Sequence, residues 1–177
     1  MGTRAAFIGI KEIWSDQIIH VLDLEPIKAE DAWNRSSEET RVSLVELAER
    51  RWLISDLDWK IVEDNNMLAQ LSKLGPTYTV GVVDSCCYSE ASAWSEGQML
   101  WKISYLYDEG KFKVTGNPPD VYADLRSKFV DHYKITEDES TTTWCELAKY
   151  LFYNYTGYWV DRTMIPQRAF KYFKKVR

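Results

Sequence analysis

The spacing of hydrophobic and polar positions changes several times along the chain, and each change marks an element. Arg4–Ile10 (RAAFIGI) is short, apolar and β-compatible, which predicts a first strand. From Trp14 to Leu24 the apolar residues Trp14, Ile18, Val21 and Leu22 recur at helical spacing, with Ser15 or Asp16 available as a cap. Pro26 breaks the chain, and Ile27–Asn34 reads as a short helix. Ser36 with Glu39 fits a capping box, predicting a helix that runs to about Arg50 with Leu44, Leu47 and Ala48 inward. Arg51–Asp56 reads as a strand with Trp52 and Ile54 on one face. Trp59–Glu63 fits neither period. Asn66 caps a predicted helix Met67–Leu74, which Gly75 and Pro76 end.

The middle of the chain alternates. Thr77–Val83 and Cys86–Trp94 read as strands, joined onward through a turn at Ser95-Glu96-Gly97-Gln98. Leu100–Tyr107 places Trp101, Ile103, Tyr105 and Tyr107 on one face, with Lys102 and Ser104 on the other. Asp108-Glu109-Gly110 turns the chain into Lys111–Thr115, where Phe112 and Val114 share a face. These strands make an antiparallel meander over residues 77–116. Asn117-Pro118-Pro119-Asp120 then starts a helix with Asn117 as its cap, and Val121, Leu125, Phe129 and Tyr133 form its apolar stripe. After a polar loop at Glu137–Thr143, Thr143 and Glu146 make a second capping box, and Leu147, Leu151 and Tyr155 follow. The expected fold is α+β: a single domain, 1–177, whose antiparallel sheet of about five strands carries helices packed on one side.

Composition narrows the function. The chain has 177 residues, 45% hydrophobic and 28% charged, which fits a globular domain and excludes disordered, collagen-like and disulfide mini-protein classes. The apolar patch in MGTRAAFIGIKEIWSD is too short and too soon interrupted by charge for a signal peptide. No apolar run approaches a membrane span, so no membrane partner is expected and the cytoplasm is the expected location. Net charge is −5, and acids outnumber bases by six in residues 1–66 alone. That balance argues against a nucleic-acid partner, because each phosphate contact needs a cation. Arg162 onward is the reverse, with six bases and no acid. An odd count of cysteines with no secretion signal leads to Cys86, Cys87 and Cys145 being expected as reduced thiols, and the neighbours Cys86 and Cys87 do not bridge without strain. Without a secretory route, the triplets Asn34-Arg35-Ser36 and Asn154-Tyr155-Thr156 carry no glycan.

The chemistry-bearing motifs are few. His20 and His132 lie in no zinc-binding spacing, and no C-x-x-C occurs, so no metal is expected. No dinucleotide, phosphate-loop or nucleophile-elbow pattern is present, so no cofactor is expected. A Cys145–His132 pair would need both side chains within hydrogen-bond reach. Paired carboxylates occur at Asp56 and Asp58, Glu63 and Asp64, and Asp108 and Glu109; surface placement is their ordinary fate. Aromatic residues make up 14% of the chain, mostly core by expectation. Trp94, beside Glu96 at a hairpin tip, is either a core residue at a strand end or an interface anchor.

One stretch resembles known proteins. The run ASAWSEGQMLWKISYLYDEGKFKVTG at residues 91–116 is followed by NPPD, by the helix DVYADLRSKF and by LAKYLFYNYTGYWVD. Together these resemble small bacterial proteins that close with an L-A-x-x-L-T-G-Y-x-x-D-like helix. They are similar in size and style to cytosolic immunity proteins of toxin–immunity systems, as in contact-dependent inhibition and type VI secretion. The resemblance covers the second half of the chain, and F-Y-N-Y stands inserted between Leu151 and Thr156. It implies a non-enzymatic protein that binds and neutralises one cognate toxin domain, nucleases with basic clefts being the natural targets. An acidic inhibitor imitates a phosphate backbone, and such charge pairs speed and tighten association. Candidate contacts, chosen for charge and expected exposure, are Asp56, Asp58, Glu63, Asp64, Trp94, Glu96, Asp108, Glu109, Glu137, Asp138 and Glu139. The alternatives are a small enzyme with a Cys/His or carboxylate site and an adaptor with a large apolar patch.

Overall fold

Alternation along the first strand decides the architecture. The structure is a computed structural model that describes residues 4–28, 41–56, 59–136, 140–160 and 169–175. In β1 (Arg4–Lys11), Ile8 and Ile10 point to one face while Phe7 points to the other, and both faces are covered. The remaining strands are β2 (Leu24–Pro26), β3 (Arg41–Ala48), β4 (Arg51–Asp56), β5 (Thr77–Val83), β6 (Tyr88–Ser95), β7 (Gln98–Leu106), β8 (Lys111–Gly116) and β9 (Lys171–Lys175). They form one sheet in the order β2-β9-β3-β4-β1-β5-β6-β7-β8, with every neighbouring pair antiparallel. The α+β class holds, but among the described residues the sheet has nine strands rather than about five.

Helices cover both faces, not one. On the Ile8 face lie α1 (Ser15–Val21) and α2 (Asn65–Leu74), whose Ile18, Leu68 and Leu71 pack with Ile10, Trp52 and Ile54. On the Phe7 face lie α3 (Asp120–Tyr133) and α4 (Glu146–Thr156), whose Phe129, Leu147, Leu151 and Phe152 pack with Leu53, Val80, Ala91 and Ile103. A sheet covered on both faces has central strands without polar alternation. This is why the segment expected to be a helix up to Arg50 is instead strand β3, buried without a break from Arg41 to Val45. The Ser36–Glu39 pair, and Ile27–Asn34 from residue 29 on, lie outside the described residues.

The meander is present, but β6 begins at Tyr88 rather than Cys86, and Tyr107 is exposed on the β7–β8 connection rather than inward on the strand. Its β6–β7 turn has Glu96 and Gly97 both at positive φ, 52° and 82°, the two-residue hairpin geometry that matches strand twist. Four caps differ from expectation, the first being that of α1, where Trp14 and not Ser15 or Asp16 holds the cap position. Asp64, not Asn66, caps α2 by accepting from the Asn66 and Met67 N–H groups. Pro119 stands at the cap of α3 with no side-chain hydrogen bond, so Asn117 does not cap it. Thr141 caps the short 3-10 turn Thr142–Cys145 that leads into α4.

Candidate functional site

The predicted contact residues separate into three groups. Asp56 is fully buried, which corrects its expected surface placement. Its Oδ2 accepts from the N–H groups of Ile61 at 2.7 Å and Val62 at 3.0 Å, and so folds the segment after β4 back over the sheet. Trp94 is a core residue whose indole N–H donates to Ser92 Oγ at 2.9 Å. Asp64 spends its carboxylate on the α2 cap. The second group is exposed: Glu63, Glu96, Asp108 and Glu109. The third, Asp58 with Glu137, Asp138 and Glu139, lies outside the described residues.

Topology brings part of the exposed group together. The β5–β6 and β7–β8 connections leave the same end of the sheet, because the strands between them are antiparallel neighbours. Asp84 is exposed on the first connection, and Tyr107, Asp108 and Glu109 on the second. Ser140 is fixed there too: its hydroxyl donates to Tyr107 O at 2.8 Å, and Thr141 N–H donates to Tyr105 Oη at 3.1 Å. Glu63 belongs to this end as well: Ile61 and Val62 just before it are bonded to Asp56, at the end of β4 that lies across β1 from the Val83 end of β5. Glu109 is held by Lys113 at 2.8 Å. Glu96 sits at the opposite end, where its N–H donates to Ser72 O at 3.0 Å.

Just behind the acidic end lies a polar cluster that sequence reasoning missed. Glu90 is buried on the face shared with α2; Lys102 Nζ reaches its Oε2 at 2.7 Å and the Tyr88 hydroxyl donates to the same oxygen at 2.5 Å. Burial, and after it the hydrogen bond to Glu90, raises the Tyr88 phenol far above its ordinary value. The Trp59 ring lies over Gly81 and 6.4 Å from the Tyr88 ring. Glu90 and Lys102 pair diagonally across β6 and β7, since the register sets Glu90 against Ser104 and Ser92 against Lys102. The available signal was a lone acid inside the small-residue run Ser89–Ala93, resolved only once strand pairing is known.

The expectation of three reduced thiols does not hold. Cys87 and Cys145 form a disulfide, while Cys86 is free and exposed. A cavity of about 310 Å³ opens at this bond, walled by Val83, Asp84, Thr142 and Glu146. With the Cys145 sulfur bonded, and His132 on α3 set edge-on to Tyr133 at 4.6 Å between centroids, the structure does not assemble the Cys145–His132 pair. His132 instead borders a second hollow of about 470 Å³ between α3 and α4, with Phe129, Tyr133 and Tyr150.

Among the described residues no group of His, Cys, Asp and Glu converges as metal ligands would, and no helix is long and apolar enough to cross a membrane. No family model, no curated protein and no solved structure matches the chain.

Proposed function

We propose that this protein is an inhibitor of the immunity type, which binds and neutralises a basic protein domain through the acidic end of its sheet. The observation that carries this reading is the grouping of Glu63, Asp84, Asp108 and Glu109 with exposed Tyr107 at one end of a sheet braced on both faces. Carboxylates held on short connections between long strands stay in place before binding, which lowers the ordering cost of association. The net charge of −5 steers a basic partner toward such a surface. Glu137, Asp138 and Glu139 immediately precede Ser140, which is docked at the same end. An exposed aromatic is the residue type enriched at an interface centre, with charged groups placed on its rim. The proposed partner is a cognate toxin domain, a nuclease with a basic cleft being the target of best charge complementarity, and the cytoplasm is the proposed compartment.

The test is capture of partners from the native host on the immobilised full chain, followed by reconstitution with the purified partner. The expected result is one stoichiometric complex, weakened by salt, in which the partner's toxic activity is lost. A stoichiometric partner whose activity is unchanged by binding would overturn the inhibitor reading.

A further inference from the structure

The Cys87–Cys145 bond joins two segments that nothing in the strand pairing holds together. Cys87 ends the connection between β5 and β6, and Cys145 lies 58 residues later at the start of α4. Three features make the bond a place of chemistry and not only a staple. It faces the 310 Å³ cavity, so a small molecule can approach it. Its two residues are unequally buried: Cys145 is buried, whereas Cys87 is half-buried and is the more open to attack. Cys145 also lies in the first turn of the helical run made by Thr142–Cys145 and α4, where the helix dipole favours a thiolate. A better-stabilised thiolate is the faster leaving group in thiol–disulfide exchange.

We infer that Cys87–Cys145 is a thiol-exchange site, attacked at Cys87 by a small dithiol with Cys145 as the leaving group. The incoming thiolate forms a bond to Cys87 Sγ; the bond between the two protein sulfurs breaks and its electron pair leaves on Cys145 Sγ. The second thiol of the reagent then attacks the mixed disulfide, closes the reagent's own disulfide and releases Cys87. The protein gains two electrons and two protons, both supplied by the dithiol, which ends oxidised. Asp84 and Glu146 border the cavity, Glu146 being neutralised in part by Lys149 at 2.9 Å, so the site favours a neutral dithiol over an anionic thiol. Reduction unfastens the turn Thr142–Cys145 from the β5–β6 connection while leaving the sheet ladder intact, because no ladder hydrogen bond depends on either sulfur. Cys86 stays a thiol throughout and serves as an internal control. The inference stands apart from the inhibitor reading and does not need it.

The experiment titrates the air-oxidised full chain with dithiothreitol in the absence of denaturant. Thiols are trapped by alkylation and mapped by peptide mass spectrometry, with circular dichroism and hydrogen exchange followed in parallel. The expected result is alkylation at Cys86 alone before reduction and at all three cysteines after it. The dichroism spectrum stays native, and exchange rises over residues 84–88 and 141–147 but not over β5–β7. The inference is overturned if Cys87 and Cys145 are alkylated before reductant is added. It is equally overturned if the bond resists dithiothreitol until urea unfolds the chain, or if exchange in the two segments does not change.

Discussion

Asp56 shows how one side chain differs in role from what its charge suggests. A carboxylate with no exposed surface, accepting from two successive backbone N–H groups, is a structural acceptor. Asp56→Ala strands both amides in a buried site, each a loss of about 1–3 kcal/mol. A fall in the urea midpoint with an unchanged slope is the expected reading; a midpoint like that of the parent would show that the segment after β4 is held by other contacts. Tyr88, Tyr78 and Tyr155 make a second residue-scale statement, about pH. Burial is the first cause of the raised phenol in all three, joined at Tyr88 by the bond to Glu90. In the unfolded chain these phenols ionise near the ordinary 10.0, while in the fold they keep their protons. Above that pH the unfolded chain binds fewer protons than the native one, so stability present below it is lost as pH rises. Lys11, lowered chiefly by burial and then by Arg51, works in the opposite sense just under its ordinary 10.5, and it is one group against three. Urea midpoints compared at about pH 9 and about pH 11 should therefore fall, and Tyr88→Phe, which cannot ionise, should lessen the fall.

At the scale of elements, legibility follows from how many faces an element buries. The meander β5–β8 was readable because β7 alternates, with Trp101, Ile103 and Tyr105 inward and Lys102 and Ser104 outward. Strand β3 was not, because its two buried faces erase the alternation and leave Leu44, Leu47 and Ala48 at a spacing that a helix also satisfies. Strand β9 was hidden for another reason. Its basic run KYFKK gains strand character only from pairing with β2 and β3, more than a hundred residues away. The candidate site was legible to the same degree: the exposed acids on turns were visible as turns, whereas the Glu90–Lys102 pair and the disulfide needed the register and the fold. The close approach of α4 to β1 is likewise invisible in sequence and easily tested. A Cβ at Gly9 would overlap Thr156 Cγ2, and Thr156 cannot swing aside without losing its 2.8 Å bond to Phe152 O. Gly9→Ala should therefore cost roughly 1–3 kcal/mol. A thermal melt unchanged from the parent would mean that α4 sits farther from the sheet than the structure shows.

For the molecule as a whole, the sheet sends its exposed turn acids to both ends of the strands. The exposed acids of the described residues do not all face one way: Asp108 and Glu109 leave one end of the strands and Glu96 leaves the other. That opposition makes the inhibitor reading testable without knowing the contact surface beforehand. Reversing Asp108 and Glu109 together to lysine replaces two negative charges at one end with two positive ones, a change of four units, and releases Lys113 from its ion pair. The fold should tolerate this, since exposed ion pairs contribute ~0–1 kcal/mol. A basic partner steered to that end should then associate more slowly, on the order of ten-fold or more at low ionic strength, with a weaker dependence on salt. Glu96→Lys changes the net charge by two units at the opposite end, half the change of the double reversal, so the slowing per unit charge is the quantity compared. Stopped-flow association rates for the two variants, read across a salt series, separate the cases. Slowing by the Asp108/Glu109 reversal alone supports binding at the acidic end. Equal slowing by both reduces the role of the surface to bulk attraction, and slowing by Glu96→Lys alone moves the partner to the end where α2 meets the β6–β7 turn.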